Sequence, residues 1–384
     1  MSGGEKPVKK TRGLLRVALS LVSLGVLVYV AIALITGRDS IMKQLFGLFS
    51  SREPVEAIDE YLFEVGRSRV YANLGSAVAA AGTLGVQVLD HGGNELLRDP
   101  YRMSFPAISE SGGKAIAFDI GGTSVRVFGA DEFAASFETE SGIISASINE
   151  NGWFCVNIQG SGGYACVVTV YNNLGKDVYK VTISSGYVLS SLLSPDNKKL
   201  AILSLTDSGS KITYYELDNA DVADTFILPD RLIIDVRYLP DGNILAVTTD
   251  SLITIDKHGS GSEIYWFAGK RLGGYALGSN FIALHLLDYG IGYNGRLVTM
   301  QNDGTFLGTI ATDFEVISMS SAEGYMGVLR YDGVVIYDME LSEMPYAAAA
   351  EVSVSAGATG IMALSGSAAL ATSDHSAVVI KIES

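Results

Sequence analysis

A unit of three predicted β-strands that recurs along the chain constrains the fold more than any other feature. It is clearest over residues 195–229, PDNKKLAILSLTDSGSKITYYELDNADVADTFILP. A Pro-Asp-Asn turn precedes an apolar run at residues 200–205, an Asp-Ser-Gly turn leads into alternation at residues 212–217, and a short strand follows at residues 225–228. Apolar runs bounded by Gly, Asn, Asp and Pro are typical of short strands joined by tight turns.

The same unit can be aligned eight times downstream of residue 59. Successive starts of the innermost strand lie about 41 residues apart, at Val70, Phe105, Ile144, Val188, Ile233, Tyr275, Val316 and Gly360. This period is typical of propeller blades and is longer than that of leucine-rich or ankyrin repeats. The sequence therefore predicts an all-β fold, a β-propeller of eight four-stranded blades, with seven blades as the alternative count.

The two ends of the repeat region complete one another. The last unit has strands near residues 361–364, 368–372 and 378–382 but no outer strand, whereas residues 60–65 (EYLFEV) precede the first unit as an unpaired strand. Pairing residues 60–65 with residues 378–382 would close the ring and remove an exposed sheet edge. We therefore expect the N-terminal strand to belong to the last blade.

Charge is distributed unevenly along the chain. The formal net charge is −15, from 27 basic and 42 acidic residues, but six of the basic and two of the acidic residues lie before residue 40. The remainder has 21 basic and 40 acidic residues and hence a formal net charge of −19. Such a surface repels phosphate backbones, which excludes nucleic acid as a partner.

The N-terminal segment predicts a membrane anchor. Residues 17–36 form a run of about 20 residues without a charge, long enough as a helix to cross the hydrocarbon core of a bilayer. A basic cluster precedes this run, made of Lys6, Lys9, Lys10, Arg12 and Arg16. Only Arg38 follows it closely, so the positive-inside rule places the N-terminus in the cytoplasm and the C-terminal part outside.

This interpretation divides the chain into four parts. They are a basic cytoplasmic tail at residues 1–16, a single transmembrane helix at residues 17–36, a juxtamembrane linker at residues 37–57 and an extracytoplasmic propeller at residues 58–384. The alternative is a signal peptide cleaved at Ala31-Ile32-Ala33, which would release a secreted protein.

The order and spacing of the repeats resemble those of WD40-type and quinoprotein-like propellers over residues 58–384. With the basic tail and the single span, the chain more narrowly resembles a family of membrane-anchored propeller proteins of unknown function from Gram-positive bacteria. No Trp-Asp dipeptide closes the repeats, and the two tryptophans, Trp153 and Trp266, do not recur with them. The quinoprotein-like docking pattern, with a tryptophan in each blade, is therefore missing, and we expect no redox cofactor.

A glycine-rich stretch at residues 118–126, FDIGGTSVR, resembles the first phosphate loop of sugar kinases of the actin/hexokinase superfamily. In that loop glycine lets the backbone approach the nucleotide phosphates. The stretch, however, fits the repeat register, and the helices and second aspartate that such a kinase requires do not follow it. The sequence therefore favours a hairpin of the second blade over a nucleotide site.

Cys155 and Cys166 are the only cysteines, and they flank a Gly-Ser-Gly-Gly turn at residues 160–163. A hairpin centred between residues 160 and 161 would place the two directly opposite one another. An extracytoplasmic location permits a disulfide between them, although a direct cross-strand bridge is strained. The pattern favours two free core thiols, with the disulfide as the alternative.

The remaining candidate residues give little indication of chemistry. The four histidines, His91, His258, His285 and His375, fall in different repeats, so no metal site is expected. No nucleophile elbow, zinc-protease, phosphate-loop or calcium-loop motif is present, and no catalytic residue is predicted. The longest hairpin, at residues 287–295, carries Tyr289, Tyr293 and Asn294, and we consider it a possible recognition loop or an ordinary surface loop.

Taken together, these patterns predict a non-catalytic, membrane-tethered propeller that binds a protein, a peptide or a cell-envelope glycan. The alternative is a propeller enzyme, a hydrolase, lyase or oxidoreductase, with carboxylates at the central channel. A structural role within an envelope complex is a third hypothesis.

Overall fold

Short, mostly apolar runs bounded by turns form antiparallel strands that group into eight four-stranded sheets arranged in a ring. The computed structural model describes residues 57–219, 221–288, 294–339, 348–353, 357–364, 368–374 and 376–381. Among these residues no helix is long and apolar enough to cross a membrane. The predicted span at residues 17–36 lies outside them.

The first four blades follow one another along the chain, each running from its inner to its outer strand. Blade 1 has β2 (Val70–Asn73), β3 (Ala77–Gly82), β4 (Gly85–Asp90) and β5 (Glu95–Pro100). Blade 2 has β6 (Pro106–Ser111), β7 (Lys114–Asp119), β8 (Ser124–Phe128) and β9 (Phe133–Glu138). Blade 3 has β10 (Ile143–Ile148), β11 (Phe154–Gln159), β12 (Cys166–Tyr171) and β13 (Asp177–Ile183). Blade 4 has β14 (Tyr187–Leu193), β15 (Lys199–Thr206), β16 (Gly209–Glu216) and β17 (Val222–Pro229).

The next three blades repeat this order, and blade 8 departs from it. Blade 5 has β18 (Ile233–Tyr238), β19 (Ile244–Thr248), β20 (Ser251–Ile255) and β21 (Gly261–Trp266). Blade 6 has β22 (Arg271–Leu277), β23 (Phe281–Leu287), β24 (Gly295–Gln301) and β25 (Phe306–Thr312). Blade 7 has β26 (Val316–Ala322), β27 (Tyr325–Arg330), β28 (Gly333–Asp338) and β29 (Ala348–Val352). Blade 8 has β30 (Gly360–Leu364), β31 (Ala368–Thr372), β32 (Ala377–Lys381) and, as its outer strand, β1 (Ala57–Glu60).

The ring closes through the N-terminal strand, as the sequence predicts, and the count of eight blades is confirmed. The position of the closing strand was predicted wrongly by a few residues. The pairing runs from Ala57 opposite Ile380 to Glu60 opposite Val378, so β1 ends where the predicted strand begins. Tyr61, Phe63 and Val65 alternate as in a strand, but their side chains are buried between blades 8 and 1.

Apolar clusters between neighbouring blades hold the ring together. In the described residues eight such clusters alternate with the eight blades, and each combines residues of two adjacent sheets. Between blades 1 and 2, for example, Ala79 and Val88 pack with Ala117 and Phe128. Small side chains on one sheet facing larger ones on the next allow close contact between sheets. Burial of these residues is the main stabilising contribution to the fold.

The topology gives the ring two distinct faces. We call the upper face the one where each inner strand begins and where the second strand turns into the third. The lower face carries the turns from the first to the second strand and from the third to the fourth strand. The inner strands border the central channel, and the two faces differ in which loops they expose.

Candidate functional site

A pocket of about 420 Å³ opens between blades 3 and 4 on the lower face. It lies where the first turn of blade 3 meets both lower-face turns of blade 4. The lining residues are Trp153, Val178, Asp196, Asn197, Lys198, Lys199, Glu216, Leu217 and Asp218. This volume is within the range of pockets that hold small organic ligands.

The wall that carries Trp153 is built around the buried side chain of Asn149. Its Oδ1 accepts the backbone N–H of Asn151 at 3.1 Å and of Trp153 at 3.0 Å, which fixes the turn that presents the indole. Its Nδ2 donates to Ser194 O at 3.2 Å and to Asn197 Oδ1 at 2.6 Å in blade 4. One buried amide therefore joins the turns of two blades through four hydrogen bonds.

The opposite wall is the tight turn between β14 and β15 of blade 4. Asn197 adopts a left-handed backbone conformation with φ of 57°, which Asn tolerates better than most residues. The Ser194 hydroxyl donates to Asp196 Oδ1 at 2.6 Å and is the main cause that lowers the pKa of Asp196 below its usual value. Asp196 is therefore ionised at neutral pH. Lys199 Nζ donates to Lys257 O at 3.0 Å, which ties this turn to blade 5.

The pocket combines an aromatic surface with charged groups at its edge. Trp153 is half-buried, and the exposed Val178 adds an apolar surface from the outer strand of blade 3. Glu216 and Asp218 supply further carboxylates, and Lys198 supplies an ammonium group. Such a site can stack a flat apolar surface and hydrogen-bond a polar rim at the same time. The pocket is not predicted from the sequence, in which only the asparagines Asn149 and Asn197 in the corresponding turns of two successive repeats relate to it.

The predicted recognition loop lies elsewhere. Tyr289 and Tyr293 are outside the described residues, while Asn294 is exposed and its carbonyl accepts the N–H of Asp288 at 3.0 Å. This hairpin of blade 6 belongs to the upper face, so it cannot contribute to the lower-face pocket. Beside it, Lys270 and Arg296 pair with the carboxylate of Asp288.

The two cysteines are free, buried and not opposite one another. Cys155 pairs with Val170 and Cys166 pairs with Gln159, so the predicted register was wrong by four residues. Four residues along a strand are about 13 Å, and a disulfide cannot bridge this distance. Cys155 instead takes part in a polar network between blades 3 and 4, in which the Ser191 hydroxyl donates to its Sγ at 3.0 Å. Burial raises the pKa of this thiol, which keeps it protonated.

The glycine-rich stretch at residues 118–126 forms a hairpin of blade 2, as predicted. Asp119 is buried there, and its Oδ1 accepts the backbone N–H groups of Ser104 at 2.9 Å and Phe105 at 2.6 Å. The carboxylate thus holds the preceding loop in place.

The three histidines that the structure describes, His91, His258 and His285, lie in different blades. His285 is buried with its Nε2 3.2 Å from Thr312 Oγ1, and burial lowers its pKa to about 4, so the ring is neutral. His91 and His258 lie in turns of blades 1 and 5, and His375 is outside the described residues. Within the described ranges, no group of three potential metal ligands comes together.

Two carboxylates lie on the inner strands that border the channel. Glu110 in blade 2 is reached by solvent, yet the protein around it desolvates the carboxyl and raises its pKa to about 7; the backbone N–H of Asn73 opposes this less strongly. Asp235 in blade 5 accepts the hydroxyl of Tyr275 at 3.0 Å, and its pKa is also raised by burial. The two groups lie on the inner strands of blades 2 and 5, three blades apart in the ring.

Glu110 makes the stability of the ring depend on pH. Because its pKa is about 7 in the folded chain and about 4.5 otherwise, the folded chain binds more protons in this interval. The free energy of unfolding should therefore fall as the pH rises through it. We expect Glu110→Gln to reduce this fall, measured as the difference between urea midpoints at about pH 4.5 and about pH 8. The same difference in urea midpoint for the wild type and for Glu110→Gln would contradict this role of Glu110. Asp235 and His285 titrate in both proteins, so their contributions cancel in the comparison.

Known structures share the architecture of this chain at low sequence identity. BamB from Moraxella catarrhalis superposes with a TM-score of 0.53 at 13% identity, over 84% of this chain and 98% of that chain. The C-terminal WD40 domain of Sif2 superposes with a TM-score of 0.60 at 13% identity, over 85% of this chain and 100% of that chain. Apo AztD from Citrobacter koseri superposes with a TM-score of 0.52 at 14% identity, over 77% of this chain and 88% of that chain. At such identities the likeness shows the fold alone.

Comparison of sequences gives a family but no function. No curated protein matches the chain. Residues 52–344, which include most of the propeller, match a family described as a family of unknown function, DUF5711. The chain belongs to this family.

Proposed function

We propose that this protein is a membrane-tethered, extracytoplasmic propeller that binds a cell-envelope glycan in the pocket between blades 3 and 4. The observation that carries the proposal is the indole of Trp153, which lines the pocket beside carboxylate and ammonium groups and whose backbone N–H is bound by the Asn149 side chain. A sugar ring has an apolar face that stacks on an indole and hydroxyl groups that pair with charged side chains at its rim. A pocket of about 420 Å³ accommodates one or two such rings.

The N-terminal sequence supports the proposed location. The uncharged run at residues 17–36 and the basic residues before it support a single span with the propeller outside. The resemblance to membrane-anchored propellers of Gram-positive bacteria supports an envelope in which wall glycan is directly accessible. The propeller fold suits a binding role, because rigid sheets hold loops in fixed positions.

Replacing Trp153 by alanine should weaken glycan binding at least tenfold, because the stacking surface is lost while the turn backbone keeps its hydrogen bonds to Asn149. We would measure the binding of fluorescent wall-glycan fragments, released by a muramidase, to intact cells that produce the full-length chain. Protease added outside the cells should abolish this binding if the propeller is extracytoplasmic.

Trp266→Ala is the matched control, since Trp266 is 61% exposed at the end of β21 on the upper face. It should leave glycan binding unchanged. Equal losses in both variants, or no retention of wall fragments by the wild-type protein, would rule out the pocket as the glycan site. Binding that resists external protease would overturn the orientation.

A further inference from the structure

The upper-face loops of blades 1 and 2 expose three large apolar side chains and two arginines. Leu84 is 56% exposed, Phe105 is 69% exposed and Ile120 is 45% exposed, and Arg67 and Arg102 are exposed beside them. We call these five residues the upper-face patch. A single exposed apolar side chain needs no explanation. Several exposed apolar side chains beside two positively charged side chains mark an interaction surface.

Backbone hydrogen bonds fix the half of the patch that belongs to blade 1. The backbone N–H of Arg67 donates to Thr83 Oγ1 at 3.1 Å, and the N–H of Thr83 donates to Arg67 O at 3.0 Å. The N–H of Met103 donates to Thr83 O at 3.3 Å, and the N–H of Leu84 donates to Val65 O at 2.8 Å. Three separate loops, at residues 65–67, 83–84 and 101–103, are therefore joined into one surface.

The half that belongs to blade 2 is fixed by the buried carboxylate of Asp119. It accepts the N–H groups of Ser104 and Phe105, and the N–H of Ile120 donates to Phe105 O at 2.9 Å. The glycine-rich hairpin therefore orients Phe105 and Ile120 toward solvent on the same side. A surface ordered in advance loses little entropy when a partner binds.

The charges of the patch specify its occupant. In the part of the chain that the structure describes, Arg98, Arg126, Arg231 and Arg330 form ion pairs, but the guanidinium groups of Arg67 and Arg102 form none. Two unpaired guanidinium groups favour carboxylates, which they bind through paired hydrogen bonds. The chain's own tail at residues 1–16 is basic and therefore has the wrong charge.

We infer that the upper-face patch docks an acidic, amphipathic segment of a partner protein, in which Asp or Glu residues flank aromatic or aliphatic ones. The carboxylates would pair with Arg67 and Arg102, and the apolar side chains would cover Phe105, Leu84 and Ile120. This surface lies on the face opposite the glycan pocket. The protein would thus hold an envelope ligand on one face and a protein on the other.

The test uses the full-length chain in detergent and a short fluorescein-labelled peptide of Glu, Leu and Phe, with fluorescence anisotropy as the readout. Replacing both arginines, as Arg67→Glu with Arg102→Glu, should weaken binding about a hundredfold, a factor of about ten for each charge reversed. Phe105→Ser should also weaken it. The basic tail also attracts acidic peptides. The result is therefore the difference in peptide affinity between the wild type and each variant, all of which carry the same tail.

Lys176→Glu with Lys257→Glu is the matched control, because both lysines are exposed in lower-face turns. This pair of changes should leave peptide binding within about twofold of the wild type. Equal weakening by both double variants would overturn the proposal, as would equal binding of the peptide with Lys in place of Glu. Self-association of the wild-type chain that Arg67→Glu with Arg102→Glu abolishes would assign the patch to a second copy and also overturn it. Glycan binding is measured separately, so either proposal can fail alone.

Discussion

Replacing Phe63 by alanine is expected to lower the free energy of unfolding by about 3–5 kcal/mol. Phe63 is 3% exposed and lies in the segment that follows the closing strand β1. Its ring makes edge contacts with Tyr61 and Tyr71, at centroid distances of 6.2 and 5.7 Å. It belongs to the apolar cluster between blades 8 and 1, so its removal leaves a cavity at the point where the ring closes.

Leu62→Ala is the matched control, because Leu62 is the neighbouring residue and is 75% exposed. It should change stability by no more than about 0.5 kcal/mol. Urea unfolding of the full-length chain, followed by tryptophan fluorescence, measures both variants. If the two lower the midpoint equally, the segment does not hold the last blade against the first.

The predicted fold was correct because its signals are local. Turns such as Asp-Ser-Gly at residues 207–209 end a strand through backbone geometry. The strand that follows is buried on both faces, with Ile212 and Tyr214 packed toward blade 5 and Tyr215 packed toward blade 3. Apolar runs bounded by turn residues recur along the chain and need no knowledge of distant contacts. Because the last repeat has only three strands and one extra strand precedes the first repeat, the N-terminal strand could be assigned to blade 8.

Errors arose where pairing register or contacts between blades decide the outcome. The turn after Cys155 was predicted to be tight, but Gly162 and Gly163 adopt positive φ values of 64° and 97°, and the loop spans all residues between Gln159 and Cys166. Tyr61, Phe63 and Val65 alternate with exposed residues because their side chains pack between two blades. The same alternation is expected of a strand that is hydrogen-bonded within a sheet, so the sequence pattern does not distinguish the two cases.

The binding surfaces were not predictable for a related reason. The pocket exists because the amide of Asn149 reaches across to the turn of the next blade, and the upper-face patch exists because three loops meet. Neither juxtaposition is written in one stretch of sequence. Trp153 and the glycine-rich hairpin, which the sequence brings to notice for other reasons, lie at these surfaces, but most of the residues that form them carry no signal in the sequence.

A repeated glycine at the start of the third strand should be the position least tolerant of a side chain. Gly209 begins β16 opposite Pro229, the last residue of the outer strand, and Gly85 stands opposite Pro100 in the same way in blade 1. The φ values are 120° and 128°, which only glycine adopts without strain. A Cβ at Gly209 would lie 2.3 Å from the carbonyl oxygen of Leu228.

Gly209→Ala is therefore expected to lower the free energy of unfolding by about 3–4 kcal/mol, since backbone strain adds to displacement of the outer strand. Gly242→Ala is the control: its φ is 85°, but a Cβ there meets nothing within 4 Å, so only strain of about 1–2 kcal/mol applies. Urea midpoints of the two variants separate the steric effect from the conformational one. Equal losses would mean that the close approach of the outer strand to Gly209 contributes nothing to blade 4.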